Sequence, residues 1–103
     1  MRNSKPKSLD ELVGILRQQR QQVRDRFRTT ELAIFGSYLR KKQHARSDID
    51  LLVEFEPGYQ TFDNYMELKF FLESLLHAKI DLITKASLRQ ELRNTILAEA
   101  VYV

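Results

Sequence analysis

Two short motifs in the first half of the chain combine residue types suited to binding phosphate and a divalent cation. In the stretch IFGSYLRKKQHARSDIDLLVEF, residues 34–55, an apolar run stops at Gly36-Ser37 and a second apolar run opens with Asp48 and Asp50. A carboxylate taken out of water costs several kcal/mol unless something compensates for it. Either these acids lie at a solvated strand end, or a cation binds between them.

The spacing of the aspartates predicts a cluster of three carboxylates. In a strand, residues two apart point to the same face, so Asp48 and Asp50 lie side by side while Ile49 enters the core. Asp81 has a similar place in the later apolar run KIDLIT. If the second and third strands are parallel neighbours, the three carboxylates meet at one sheet edge and repel one another. Mg²⁺ takes oxygen ligands, completes its shell with substrate phosphates, and removes that repulsion.

The Gly-Ser pair supplies the complementary half of such a site. A glycine that ends a strand and precedes a short helix lets backbone N–H groups approach an anion, and the Ser37 hydroxyl adds a donor. Four basic residues follow in the same connection: Arg40, Lys41, Lys42 and Arg46. For the glycine to meet the aspartates, the first two strands must be antiparallel, which makes the sheet mixed. A phosphate cradle beside three carboxylates indicates metal-assisted phosphoryl or nucleotidyl transfer.

Apolar residues at helical spacing predict the helices that pack around these strands. Ser8 and Glu11 fit a capping box that opens the first helix, and its interrupted apolar stripe is Leu12, Leu16, Val23 and Phe27. A second long helix is predicted from about Asp63 to His77. Ser87 and Gln90 form another capping-box pattern, which predicts the start of the last helix.

Three apolar runs predict strands at residues 31–36, 48–55 and 79–84. The resulting order is α-β-α-β-α-β-α, with a short helix between the first two strands. It indicates an α/β (α+β) fold in which helices pack on a small mixed sheet of three or more strands. The closing residues 100–103 add an edge strand or dock on the core, and both alternatives are open.

Length and composition restrict the class of protein. We expect one domain spanning residues 1–103, because this length allows a single core and no separate substrate-binding domain. The apolar fraction of 43% and the absence of cysteine exclude disorder, disulfides and thiolate metal sites. No apolar run reaches the roughly 18 residues of a membrane span, and no secretory signal is recognisable, so we expect a cytoplasmic protein.

The net charge of +3 hides an asymmetry along the chain. Residues 1–47 carry twelve Lys and Arg against four Asp and Glu, whereas residues 48–103 carry five against ten. A basic half beside an acidic half is compatible with a polyanionic ligand that faces one half and a metal that faces the other. From charge alone, a solvated basic helix and ordinary surface acids are the favoured explanation.

Taken together, Gly36-Ser37, ten intervening residues, Asp48-Ile49-Asp50 and the later KIDLIT resemble the minimal nucleotidyltransferases (MNT) of the DNA polymerase β-like superfamily. The resemblance covers residues 31–84 strongly and the flanking helices by order and length. It implies the palm-like nucleotidyltransferase fold of that superfamily.

The resemblance also implies roles for individual residues. Gly36, Ser37 and Arg40 would bind the nucleotide phosphates. Asp48 and Asp50 would hold Mg²⁺, and Asp81 would be the third catalytic and metal-binding carboxylate, helping to activate the acceptor hydroxyl. Stand-alone MNT proteins of this size are commonly antitoxins paired with a HEPN-domain toxin, usually an RNase. Some members transfer AMP from ATP to a tyrosine of that toxin.

Two functions from different classes follow from this resemblance. The first is a Mg²⁺-dependent protein adenylyltransferase that uses ATP and modifies its HEPN partner. The alternative is a non-catalytic antitoxin that neutralises the toxin by direct binding, and such a protein needs none of the acidic residues. A nucleic-acid-binding module explains the sequence less well, because the aspartates would face a phosphate backbone.

Overall fold

The structure, a computed structural model, describes residues 8–36 and 49–103. The elements in chain order are α1 (Leu9–Gln18), α2 (Arg20–Phe27), β1 (Thr29–Phe35), β2 (Ile49–Phe55), α3 (Phe62–Leu76), β3 (Ile80–Thr84), a 3-10 helix (Lys85–Ser87), α4 (Gln90–Glu99) and β4 (Val101–Tyr102). The short helix expected between the first two strands falls outside the described residues. Within the described ranges, no helix is long and apolar enough to cross a membrane.

The N-terminal helix begins as the capping box predicts but is interrupted near its middle. The Ser8 hydroxyl accepts from the Glu11 N–H at 3.1 Å, and the Glu11 carboxylate accepts from the Ser8 N–H at 2.8 Å. At Gln19 (φ −98°, ψ 4°) the chain leaves helical geometry, which separates α1 from α2. The residues of the predicted stripe on both sides of this break, Leu12, Leu16, Val23 and Phe27, are all buried.

The strands form one mixed sheet in the order β3-β2-β1-β4. β1 and β2 are antiparallel, whereas β2 and β3, joined by α3, are parallel. Both relations agree with the prediction. The closing segment follows both open alternatives: β4 pairs antiparallel with β1 as an edge strand, and Val103 packs against the core of the first face.

The two faces of the sheet carry different side chains. The first face is apolar and packs against α1, α2 and α3; its strand residues are Leu32, Ile34, Ile49, Leu51, Val53, Phe55, Ile80 and Leu82. The second face carries Asp50 and Asp81 together with Ala33, Phe35, Leu52 and Ile83, and α4 lies against its apolar part. The carboxylates therefore lie on the face that α1 to α3 leave uncovered.

Helix α3 links β2 to β3 and is defined at both ends by local hydrogen bonds. At its start, the Thr61 hydroxyl accepts from the Asn64 N–H at 3.1 Å. At its end, His77 adopts a left-handed conformation (φ 53°) and its N–H bonds to the Glu73 carbonyl. Leu68, Leu72 and Leu76 are buried at four-residue spacing against the sheet. These features confirm the helix that the sequence predicts, with its bounds one residue earlier.

The start of the last helix corrects one expectation. Ser87 lies in the 3-10 helix, and its hydroxyl donates to the Thr84 carbonyl at 2.9 Å. Helix α4 begins three residues later at Gln90, and its N-cap, Arg89, makes no side-chain capping bond. The capping-box interpretation of Ser87 is therefore wrong, because its side chain closes the preceding turn and does not open the helix.

The end of the sheet remote from the aspartates is held by polar contacts. The Asn64 amide donates to the Phe27 carbonyl at 2.8 Å and to the Tyr59 carbonyl at 2.9 Å, which joins α2, the loop after β2 and α3. Arg28 pairs with Glu56 at 3.0 Å, and its guanidinium lies over the Tyr59 ring. The contact with Glu56 raises the pKa of Arg28. Tyr59 thus anchors this loop.

Candidate functional site

Gly36 ends β1 in a conformation that favours glycine. Its φ is +81°, and a Cβ added there would lie 2.9 Å from the Asp50 Cγ and nearer still to Oδ2. Any side chain at this position would therefore displace the Asp50 carboxylate. The close approach of backbone to carboxylate at the end of β1 is what the Gly-Ser motif and the antiparallel pairing predict.

Asp50 and Asp81 meet across two parallel strands. They are direct register partners of β2 and β3, so their side chains share a face about one strand spacing apart, roughly 4.8 Å. Asp50 is half-buried and Asp81 is exposed. On its other side, Asp50 is the register partner of Phe35, the last residue of β1. The structure therefore brings Gly36, Asp50 and Asp81 together at one sheet edge.

Backbone contacts fix the start of β3, where Asp81 lies. The Glu73 carboxylate accepts from the Ile80 N–H at 3.2 Å, so α3 holds the first residue of the strand. The Ile49 N–H donates to the Lys79 carbonyl at 3.0 Å, which aligns β3 with β2. These two bonds set the register that places Asp81 opposite Asp50.

Tyr65 is a contributor to this region that the sequence analysis missed. Its hydroxyl donates to the Leu82 carbonyl at 2.5 Å, on the residue that follows Asp81. Burial raises the pKa of Tyr65, and the negative charge of Asp81 raises it further. The sequence shows Tyr65 as part of the apolar stripe of α3, and a tyrosine in such a stripe signals that a buried hydroxyl needs a partner.

Three of the predicted site residues, Ser37, Arg40 and Asp48, lie outside the described residues. Among the residues that the structure describes, no group of three or more His, Cys, Asp or Glu could hold a metal ion. Asp50 and Asp81 supply two of the predicted carboxylates, and hard carboxylate oxygens are the ligands that Mg²⁺ prefers. The donor set present at this edge fits Mg²⁺, with Asp48 as the predicted third ligand.

Glu54 and Glu31 lie on the same face of the sheet as Asp50, but their carboxylates make structural contacts. The Glu54 carboxylate accepts from the Thr30 hydroxyl at 3.2 Å at the opposite end of β2 from Asp50. Nearby, Lys85 pairs with Glu31 at 2.8 Å, and this hydrogen bond raises the pKa of Lys85 above its usual value. These contacts tie the 3-10 helix to β1 and give Glu54 and Glu31 structural partners away from Asp50 and Asp81.

Comparison with known proteins agrees with this arrangement. The family model described as a nucleotidyltransferase domain matches residues 16–103. The protein adenylyltransferase MntA of Thermococcus cleftensis is 38% identical over 96 residues, which cover 93% of this chain and 96% of that protein. Sequence and length therefore correspond along almost the whole of both chains.

Solved structures share the same fold. A candidate minimal nucleotidyltransferase superposes with a TM-score of 0.78 at 33% identity, covering 92% of this chain and 95% of that one. An MNT antitoxin in complex with the tri-AMPylated HEPN toxin of Shewanella oneidensis matches with a TM-score of 0.54 at 20% identity, covering 90% of this chain and 66% of that one. The second likeness establishes the fold alone. The chain belongs to the nucleotidyltransferase domain family and, within it, to the minimal nucleotidyltransferases, and it is an enzyme of that class.

Proposed function

We propose that this chain transfers AMP from ATP to a tyrosine hydroxyl of a HEPN-domain toxin, depends on Mg²⁺, and thereby acts as an antitoxin. The observation that carries the proposal is the register pairing of Asp50 with Asp81, directly beside the Gly36 turn. The name of the Thermococcus relative and the HEPN complex that shares the fold support the choice of donor and acceptor. Because ATP is the donor, we propose the cytoplasm as the compartment.

The proposed reaction is a single displacement at the α-phosphorus of ATP. The acceptor hydroxyl oxygen forms a bond to this phosphorus, the bond to the bridging oxygen of the β-phosphate breaks, and pyrophosphate leaves with the electron pair. The hydroxyl proton passes to the Asp81 carboxylate, which lies on the exposed edge strand β3, and then to solvent.

The other proposed roles of the residues at the sheet edge are phosphate binding and metal binding. The absence of a side chain at Gly36 lets the phosphates approach the backbone, with Ser37 and Arg40 as proposed donors. Asp48, Asp50 and Asp81 would hold Mg²⁺, which would neutralise charge that develops on the phosphates. A small chain with an exposed site edge recognises its acceptor by docking, which agrees with a protein acceptor.

The decisive experiment measures the intact mass of the acceptor. The protein encoded beside this chain is incubated with the chain, ATP and Mg²⁺, in parallel with Asp48→Asn/Asp50→Asn and with Asp25→Asn. Asp25 is exposed on α2 and bonded by the Gln21 amide, so its substitution removes a carboxylate without touching the site. We expect one or more AMP units with the wild type and with Asp25→Asn, and none with the double variant.

Two other results would contradict the proposal in different ways. AMP transfer by a folded double variant would show that Asp48 and Asp50 are not the metal-binding residues of the reaction. A silenced partner in a stable complex without any mass change would establish neutralisation by binding alone.

A further inference from the structure

A cavity of about 310 Å³ lies between α4 and the turn at Gly36. Four residues of α4 form one side of it, which we call the α4 wall: Leu92, Thr95, Ile96 and Glu99. Their spacing of three and four residues places them on one face of the helix. Phe35 and Gly36 form the opposite side. The volume is at the lower end of the range for small-molecule sites, about 300–1,000 Å³.

The α4 wall is exposed in a way that distinguishes it from the other helices. Helix α3 buries Leu68, Leu72 and Leu76, whereas α4 has no buried residue. Leu92 is 48% exposed although it lines the cavity. An aliphatic side chain presented to an open cavity gains free energy when a ligand with an apolar surface covers it.

The cavity is continuous with the candidate site. Gly36 belongs to both, because it lines the cavity and a Cβ added to it would meet the Asp50 carboxylate. Phe35, which also lines the cavity, is the register partner of Asp50. A nucleotide whose phosphates lie at Gly36 therefore has this cavity within reach of its nucleoside.

The chemistry of the walls matches a nucleoside better than a phosphate. Phe35, Leu92 and Ile96 offer apolar contact to the faces of a base and a sugar. The Thr95 hydroxyl can donate or accept, and the Glu99 carboxylate accepts hydrogen bonds from hydroxyl groups. A carboxylate that accepts from a ribose 2′-hydroxyl is an established way to select a ribose.

We propose that the α4 wall holds the nucleoside of the donor nucleotide and that Glu99, assisted by Thr95, selects a ribose by accepting hydrogen bonds from its hydroxyl groups. The inference rests on the proposed function for the identity of the donor. It adds a determinant of sugar specificity that acts on binding and is separate from the carboxylates at Asp50 and Asp81.

Equilibrium binding tests this inference without requiring transfer. The affinities of the full chain for ATP and 2′-deoxy-ATP, each with Mg²⁺, are measured by calorimetry, alone and with the partner protein bound. The same measurements are made on Glu99→Ala and on the matched control Glu91→Ala. Glu91 is an exposed carboxylate in the first turn of the same helix and does not line the cavity.

We expect the wild type and Glu91→Ala to prefer ATP, and Glu99→Ala to lose this preference by roughly tenfold or more through weaker ATP binding. An unchanged ratio in Glu99→Ala overturns the inference, as does an equal change for both nucleotides, which is the signature of long-range charge. These results leave transfer by the wild type intact. A wild type that neither binds nor transfers any nucleotide contradicts the proposed function itself, and the inference with it.

Discussion

The first face of the sheet is covered by three helices, whereas among the described residues the second is covered by α4 and the 3-10 helix. On the first face, Leu12, Leu51, Leu68 and Leu72 are completely buried. On the second face, Ala33, Phe35 and Leu52 are buried, but Ile83 and the apolar residues of α4 are only partly buried, and Asp50 and Asp81 keep contact with solvent. The first face therefore holds the larger apolar core, while the second combines a smaller core with accessible carboxylates and cavities.

The largest expected effect is on the free energy of unfolding, when a core side chain is truncated on each of the two faces. Leu72→Ala removes a fully buried side chain from the first face and should lower the free energy of unfolding by about 2–5 kcal/mol. Ile83→Ala removes a partly buried side chain from the second face and should cost less than about 2 kcal/mol. Urea denaturation measures both values. Equal costs would mean that the second face contributes as much to stability as the first.

Alanine substitutions at two glycines with positive φ distinguish the effect of backbone strain on stability from the effect of a displaced Asp50 on catalysis. Gly36 (φ +81°) and Gly58 (φ +88°) both adopt conformations that disfavour alanine, by roughly 1–2 kcal/mol. Only at Gly36 would the added Cβ collide with Asp50, since a Cβ at Gly58 meets nothing within 4 Å. We expect Gly36→Ala to lower the rate of AMP transfer roughly a hundredfold, because displaced catalytic groups lose alignment.

The matched variant Gly58→Ala should show a similar loss of stability and nearly normal transfer. Comparable transfer by the two variants, each confirmed as folded by circular dichroism, would show that the approach of Gly36 to Asp50 is unimportant for the reaction.

The contrast between the faces also explains what could be predicted from the sequence. Helical stripes such as Leu68-Leu72-Leu76 and strand runs follow local periodicity, so the first face and the mixed sheet were predictable. The pairing of Asp50 with Asp81 followed once β2 and β3 were predicted to be parallel. Whether Ser37, Arg40 and Asp48 join these carboxylates stays a prediction.

Features that depend on contacts between distant parts of the chain were not predictable. The apolar stripe of the first helix is interrupted around Gln19, but such a gap alone does not predict that the helix breaks there. The pairing of β4 with β1 depends on a partner strand some seventy residues earlier. In the sequence, Thr95 and Glu99 are ordinary polar positions of α4. Their place in a cavity with Phe35 and Gly36 is visible only when α4 packs on the second face.

The smallest expected effect is at Tyr65, which reaches from the first face to the strand that carries Asp81. Tyr65→Phe removes the hydrogen bond to the Leu82 carbonyl and should cost about 0.5–1.5 kcal/mol of stability. Because Tyr65 positions Asp81, Tyr65→Phe should lower kcat several-fold and leave the KM for ATP unchanged. Tyr59→Phe, at the remote end of the sheet, retains its ring under Arg28 and should change neither.

The pH dependence of stability tests whether the Tyr65 hydroxyl is coupled to folding. The pKa of Tyr65 is raised above the ordinary value of 10.0, so the folded state holds this proton more tightly than the unfolded state. The associated stability is fully present below pH 10 and is lost as the pH rises through the higher folded-state pKa. The wild type should therefore lose stability above about pH 10 more steeply than Tyr65→Phe, as measured by urea denaturation in alkaline buffers. Parallel profiles would show that the Tyr65 hydroxyl is not coupled to folding. In the kinetic measurement, a fall in kcat together with a rise in KM would show that Tyr65→Phe distorts the whole site, which would contradict a specific role in positioning Asp81.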